Sequence, residues 1–309
     1  MDKIAVLIPC YNERQTIREV VEGFKRSLPD SVIYVYDNNS TDGTDTEAVE
    51  AGAVVRYEYQ QGKGNVIRRM FREIEAECYV MVDGDNTYSP DDAPDMVQKV
   101  LMHNADMVVG DRLSSTYFEE NKRPFHNLGN SLVRKAINGL FHTAIKDIMT
   151  GYRAFSYQFV KTFPVLSTGF EIETEMTIHA VYNNFQVENQ IIQYSDRPAG
   201  SESKLNTYSD GMKVLRTIIR MFRQYRPLKF FGCLSLFLFL ISIAFFIPLV
   251  IEFLKTGLVP KIPTLIVCCF SLLAATISFF SGLILQNLEK KDRRDNEFKR
   301  QIICMITQL

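Results

Sequence analysis

The sequence predicts an α/β fold, a mainly parallel and doubly wound sheet, followed by an amphipathic interfacial helix and two membrane-spanning helices. Three observations carry this. Short apolar runs alternate with helical periodicities through residues 4–109, the pattern of a parallel sheet covered by helices. Acidic or amide-rich turns stand at the carboxyl ends of three of those runs, where open α/β sheets bind ligands. Composition then shifts near residue 229 to two apolar stretches, 230–253 and 262–285, each longer than the roughly 20 residues that cross a bilayer core.

The bulk numbers narrow the function classes. A formal net charge of −1 over 309 residues provides no basic field for nucleic acid, so no nucleic-acid partner is expected. The cysteines Cys10, Cys78, Cys233, Cys268, Cys269 and Cys304 have neither metal-ligand spacing nor the look of a disulfide framework, which fits a reducing compartment. The N-terminal MDKIAVLIPCYNE does not read as a signal peptide.

Ile4–Ile8 is the first strand. Pro9 to Glu13 break it, and Ile17, Val20, Val21 and Phe24 recur at helical spacing, with Asn12 as the expected N-cap. Val32–Tyr36 is the second strand. It ends in the turn Asp37–Thr44, in which Thr41 or Asp42 is placed to start a helix. Val54–Tyr57 is the third strand, and Gly62-Lys63-Gly64-Asn65 leads into a helix expected to run through Glu77. The spacing of a P-loop is absent from that glycine turn. Tyr79–Val82 is the fourth strand and Asp106–Val109 the fifth.

The fourth strand ends in Asp83-Gly84-Asp85. Two carboxylates one residue apart project into the ligand crevice, and Gly84 lets the backbone approach a phosphate. Hard divalent cations such as Mg²⁺ or Mn²⁺ take one or two carboxylates plus substrate phosphates. Asp83 and Asp85 are therefore the expected metal ligands of a metal–diphosphate site, and Asp85 is expected to be essential.

Further along, 127–141 has helical periodicity. Glu171 and Glu175 stand at i, i+4 while Glu173 points elsewhere. Residues 199–204 form a small polar loop. From Tyr208, Lys213, Arg216, Arg220 and Arg223 share one arc of a helix, and Val214, Leu215, Ile218, Met221 and Phe222 the other, as in a helix lying at a membrane surface. Lys and Arg crowd both flanks of the apolar pair, whereas the link 254–261 carries two lysines. This predicts a multi-pass protein of the cell membrane with both termini and the catalytic domain cytoplasmic. The expected division is 1–207 catalytic, 208–229 interfacial, 230–286 transmembrane and 287–309 a cytoplasmic tail.

IPCYNE (8–13), DNNSTDGT (37–44), GKG (62–64), DGDNTYSPDD (83–92), GDR (110–112), DIMTGYRAF (147–155) and SKLN (203–206) occur in this order. Together they resemble the family 2 glycosyltransferases of GT-A fold, and among them the polyprenyl-phosphate glycosyltransferases. This group includes dolichol-phosphate mannose synthases and bacterial undecaprenyl-phosphate enzymes with two C-terminal spans. The resemblance implies inverting transfer from a nucleotide sugar, a UDP-hexose or UDP-N-acetylhexosamine, to a polyprenyl phosphate. GDP-mannose is the alternative donor. It implies that Pro9, Tyr11, Glu13 and Asp37 hold the nucleoside, with Asp37 on the base, and that Asp83 and Asp85 hold the diphosphate through the metal. Arg112, Arg153 and Lys204 would meet phosphate groups, with Arg123 and Arg134 as further candidates. Where many dolichol-phosphate relatives carry a Gln metal ligand, this chain has Thr87.

None of the four histidines sits in a catalytic-looking motif, and a lipid phosphate is already largely ionised at neutral pH. Asp147 is therefore read as a base or acceptor-positioning group. A processive polysaccharide synthase would need a QxxRW signature, and the chain has no Trp. A catalytically inactive nucleotide-sugar-binding scaffold sits poorly with the intact acidic pair. Small residues along both spans (Gly232, Ser235, Ser242, Ala244, Ala274, Ala275, Ser278, Ser281, Gly282) and the apolar end of the tail predict a homo-oligomer, four copies being the first expectation.

Overall fold

A computed structural model describes residues 1–114, 134–135, 138–139, 143–169, 171–195, 216, 219–220, 222–259 and 261–307. The strands and helices in order are β1 (Asp2–Cys10), α1 (Ile17–Ser27), β2 (Ser31–Asp37), α2 (Thr44–Glu50), β3 (Val54–Tyr57), α3 (Lys63–Glu73), β4 (Ala76–Met81), α4 (Ala93–His103), β5 (Met107–Asp111), β6 (Arg153–Ser156), α5 (Tyr157–Thr162), α6 (Ile172–Tyr182), β7 (Val187–Ile191), α7 (Pro227–Thr256) and α8 (Ile262–Thr307). They fall into two compact units, 1–217 with 299–309, and 218–298.

In the first unit seven strands form one sheet, ordered β3-β2-β1-β4-β6-β5-β7. All adjacent pairs are parallel except those of β6, which runs antiparallel to both β4 and β5. Every residue of β1 from Ile4 to Cys10 is buried, because helices cover both faces, and this is why the strand reads as an unbroken apolar run. One core joins Val6 and Ile8 of β1 and Val80 of β4 to Val20, Val21 and Phe24 of α1 and Met96 and Val100 of α4. A second, aromatic layer links Phe71 to Tyr79, Phe155 and Phe163, and stacks Phe155 on Phe159.

Several local expectations change. Asn12 is not a helix cap; α1 starts at Ile17. Asn12 instead adopts φ 52°, with its backbone N–H donating to Ser40 Oγ at 2.9 Å and its Oδ1 accepting from Thr41 N at 2.8 Å, so it ties two loops together. Helix α3 stops at Glu73, and the chain has entered β4 at Ala76, one residue before Glu77. The strands β6 and β7 were not foreseen. Helix α2 starts at Thr44 with Gly43 at its N-cap (φ 88°), so neither Thr41 nor Asp42 caps it; Asp42 instead accepts from Thr44 N through Oδ1 at 3.0 Å, one residue before the cap.

The second unit is a helical hairpin. Helices α7 and α8 are long and apolar enough to cross a membrane, and Phe237, Leu240, Phe270 and Ile277 point outward. Pro248 lies inside α7. The two helices are joined by hydroxyl-to-carbonyl bonds: Ser235 to Ala275 O (2.7 Å), Ser242 to Cys268 O (2.9 Å) and Ser278 to Phe231 O (3.1 Å). Gly282 packs against Phe231 and Leu228. These small residues serve close approach of the two helices inside one hairpin. Gly232 has open space where a Cβ would stand, and Ala244 and Ala274 face outward.

The charged tail is no separate element, because α8 continues as one helix of 46 residues from the second apolar stretch to Thr307. Its end folds with the catalytic unit. Arg300 stacks on Phe185 at 4.2 Å, donates to Asn183 O at 3.2 Å and stands 3.9 Å from Asp106. The tail was expected to pack on neighbouring protomers; Arg300 is engaged within its own chain, while Ile302 and Met305 stay exposed. Arg216, Arg220 and Arg223 are helical and exposed. The other wheel positions Lys213, Val214, Leu215, Ile218 and Met221, the 199–204 loop, and most of 127–141 lie outside the described residues.

Candidate active site

The carboxyl ends of β1, β2 and β4 lie side by side, and each feeds a polar turn into one crevice edge. Pro9 and Cys10 close β1 opposite Tyr36 and Asp37 of β2. Asp37 is buried, and its Oδ2 accepts from Ser40 N at 2.9 Å. Its Oδ1 is buried without a hydrogen-bond partner, an arrangement that is costly until a donor arrives. Neighbouring Asn38 accepts from Gly62 N at 2.7 Å and donates to Glu58 O and Gln60 O. It thereby shapes the loop that leads into α3. Tyr11 is exposed and Glu13 half-buried, and Glu13 N donates to Thr44 Oγ1 at 2.9 Å.

The acidic turn follows β4. Thr16 Oγ1 donates to Gly84 O at 2.6 Å, pinning the turn from the start of α1. Thr87 Oγ1 donates to Asp85 Oδ1 at 2.7 Å and its backbone N at 3.2 Å. Thr87 therefore orients Asp85 where a Gln ligand was considered. Gly151 lies so close to Asp83 that any Cβ there would overlap the carboxylate, which accounts for the glycine in the 147–155 motif.

Lys63, the first residue of α3, reaches Asp83 Oδ1 at 2.5 Å and Glu173 Oε1 at 2.6 Å. Burial opposes the Lys63 charge, but Asp83 and Glu173 outweigh it and raise its pKa above the ordinary lysine range. Burial raises the pKa of Glu173, and Lys63 only partly offsets this. The glycines flanking Lys63 allow α3 to begin against the 167–168 backbone: a Cβ on Gly62 or Gly64 would strike Thr168 O or Ser167 O. Glu175 holds that same backbone, accepting from Leu166 N at 3.0 Å and Ser167 N at 2.8 Å.

Arg112 and Asp147 form a buried pair at 2.7 Å, and Arg112 also donates to Met149 O at 3.1 Å. Lys146 stands 3.7 Å from Asp111, and Arg134 Nη1 lies 3.5 Å from Lys146 O. Arg153 departs from its expected role. It is fully buried and donates to Ile148 O (2.6 Å), Thr150 O (3.1 Å) and Thr177 Oγ1 (2.8 Å). Burial pushes its pKa down to about 10. Its guanidinium braces the loop behind Asp147 and does not face the crevice. Arg123 and Lys204 lie outside the described residues.

The donor set suits a divalent cation. Among the described residues, no group of three or more His, Cys, Asp or Glu side chains is arranged to hold a metal ion. A cation at Asp83 and Asp85 would complete its shell with phosphate and water oxygens, as Mg²⁺ and Mn²⁺ do. Sequence reasoning missed Lys63 as a site residue, and Glu175 as a brace. Lys63 was visible only as the centre of a glycine turn, and the pairing with Glu173 spans 110 positions.

A seven-stranded, mostly parallel sheet with an acidic turn at its carboxyl edge defines a GT-A glycosyltransferase. Residues 5–163 match the family "Glycosyl transferase family 2", and the chain belongs to that family. It is 32% identical over 232 residues to the glycosyltransferase AglJ of Haloferax volcanii, covering 75% of this chain and 76% of that one. It is 26% identical over 219 residues to an undecaprenyl-phosphate mannosyltransferase of Micrococcus luteus, covering 66% and 88%. In fold it is similar to glucosyl-3-phosphoglycerate synthase of Mycobacterium tuberculosis, solved with Mn²⁺, UDP-glucose and phosphoglyceric acid. The TM-score is 0.57 at 19% identity, over 71% of this chain and 79% of that one.

Proposed function

We propose that the chain transfers a hexose or N-acetylhexosamine from a nucleoside diphosphate sugar to a polyprenyl phosphate, with inversion, at the cytoplasmic face of the cell membrane. The product is a lipid-linked sugar for cell-envelope glycosylation, undecaprenyl phosphate being the expected acceptor. The observation that carries this reading is the meeting of Asp37, with its unpaired Oδ1, and the Asp83–Gly84–Asp85 turn on one sheet edge.

Asp37 Oδ1 accepts an N–H of the base, and Pro9, Tyr11 and Glu13 border the nucleoside. Asp83 and Asp85 hold Mg²⁺ or Mn²⁺, which when bound offsets the charge growing on the leaving diphosphate. Asp147 holds the Arg112 guanidinium where it can meet the acceptor phosphate. Arg134, Arg123 and Lys204 are the further cations proposed for phosphate. Because the acceptor oxygen is already anionic at neutral pH, no strong general base is needed.

Two apolar helices support the lipid half. The segment 299–309 falls in one compact unit with the catalytic sheet, which supports an even number of crossings by the chain between. Positive charge flanking the pair favours the cytoplasmic side for both ends. The similarity to a mannosyltransferase favours GDP-mannose as a second donor reading.

Purified full-length protein, offered undecaprenyl phosphate in detergent with a panel of UDP- and GDP-sugars, tests this. Lipid-extractable sugar from one donor is expected. Equal transfer to water-soluble acceptors lacking phosphate would refute the acceptor assignment.

A further inference from the structure

We propose that Lys63 is the resident counter-ion of the donor site, holding Asp83 until the divalent cation and the donor diphosphate displace it together. The inference rests on the donor-site reading above. Lys63 Nζ bridges Asp83 Oδ1 at 2.5 Å and Glu173 Oε1 at 2.6 Å. The two partners are not equivalent: the Glu173 side chain is 5% exposed, that of Asp83 29%. Glu173 is the permanent partner, because a buried carboxylate stripped of its cation is strongly disfavoured. Asp83, nearer to solvent, is the partner that can be exchanged.

The backbone cannot withdraw the ammonium. Gly64 N donates to Thr168 O at 3.0 Å, and Arg68 donates to Val165 O at 2.9 Å, so the start of α3 is clamped to the loop that Glu175 holds. Only side-chain rotation is left to Lys63. A divalent cation entering alone would sit on a carboxylate already paired with an ammonium, and like charges on one ligand oppose each other. A diphosphate arriving with the cation changes this, since its oxygens give Lys63 an anionic partner in place of Asp83. Metal and donor then bind with positive coupling, and that coupling is reciprocal. The arrangement keeps Asp83 occupied between turnovers.

The test is Mn²⁺ binding to the detergent-solubilised full chain, read from the paramagnetic resonance signal of the free ion, without nucleotide and with saturating UDP or GDP. The double variant Lys63→Met/Glu173→Gln removes one positive and one negative group, so the net charge of the site is unchanged and no buried ion is left unpaired. Without nucleotide it should bind Mn²⁺ about tenfold more tightly than wild type, the scale expected for removing one competing ion pair near a surface. The nucleotide should tighten wild type more than the double variant. Glu173→Gln alone leaves Lys63 to Asp83 undivided and should bind more weakly than wild type. Equal or weaker Mn²⁺ binding by the double variant without nucleotide overturns the inference, as does equal tightening of both proteins by nucleotide. Failure of wild type to bind Mn²⁺ even with either nucleotide instead removes the donor-site reading, and the inference falls with it.

Discussion

Asp85 is aimed by two bonds from Thr87, while Asp83 is boxed in by Lys63 and Gly151. The two acids of one turn therefore have different tasks. Asp85→Ala should leave the fold intact and lower transfer at least about 100-fold, as loss of a metal ligand at a charge-developing centre does. Gly151→Ala should displace Asp83 without unfolding the sheet, and a misplacement near 1 Å can cost about 100-fold in rate. Initial rates beside thermal unfolding of each variant check both, and an unchanged rate in Gly151→Ala would show that the contact does not matter. His179 supplies a pH prediction. Burial, with Arg300 nearby, pushes it down to about 3, whereas an unfolded imidazole titrates near 6.5. The unfolded chain thus takes up a proton that the folded chain refuses. His179's contribution is fully present above about 6.5 and is lost as pH falls toward about 3, at up to about 1.4 kcal/mol per unit. Unfolding of wild type and His179→Phe across pH 4.5–7 (about the window below 6.5) should diverge, and parallel curves would contradict the assignment.

Among the elements, β1, β2 and β4 were legible because burial between helices leaves apolar runs, and the partly exposed edge strand β3 was legible only as the short run Val-Val-Arg-Tyr. The turns after them were legible as Asp- and Asn-rich clusters. Strand β6 was not, since Arg-Ala-Phe-Ser gives no sign that its arginine is core, and β7 is the polar edge Val-Glu-Asn-Gln-Ile. Helix α6 is buried on every side, Glu173, Glu175, Thr177 and His179 included, so it shows no helical stripe. Glu173, Glu175 and Thr177 are satisfied by Lys63, by loop amides and by the helix's own backbone, which are partners that spacing does not reveal. The same blindness assigned Arg153 to phosphate. Arg153→Met should therefore lower unfolding stability by about 3 kcal/mol, the scale for breaking a buried charged network. Arg112→Lys, which keeps a cation beside buried Asp147 but loses the planar fork, should instead raise the KM for lipid acceptor with little loss of stability. A stable, fully folded Arg153→Met with a raised acceptor KM would restore the phosphate role.

For the whole molecule, the order of catalytic sheet, basic segment and apolar pair was legible from composition. The return of the chain's last residues to the catalytic unit was not, because one arginine on an aromatic ring leaves no pattern. Arg300→Ala should lower the unfolding temperature of the catalytic unit, the lost cation–π and hydrogen bonds being worth about 1–3 kcal/mol. Ile302 and Met305 stay exposed in the single chain, so a homo-oligomer, four copies in the first instance, is proposed to cover them. Mass in mild detergent should fall to that of a monomer when residues 302–309 are removed, and a monomer before removal would refute the assembly. The central claim, that the acidic turn transfers sugar onto a lipid phosphate, is tested most directly by the rate of lipid-linked sugar formation in liposomes containing polyprenyl phosphate. Wild type should form that product with Mg²⁺ or Mn²⁺ and stop in excess chelator, and Asp85→Ala should form none under either condition; full rates in chelator, or in Asp85→Ala, would contradict it.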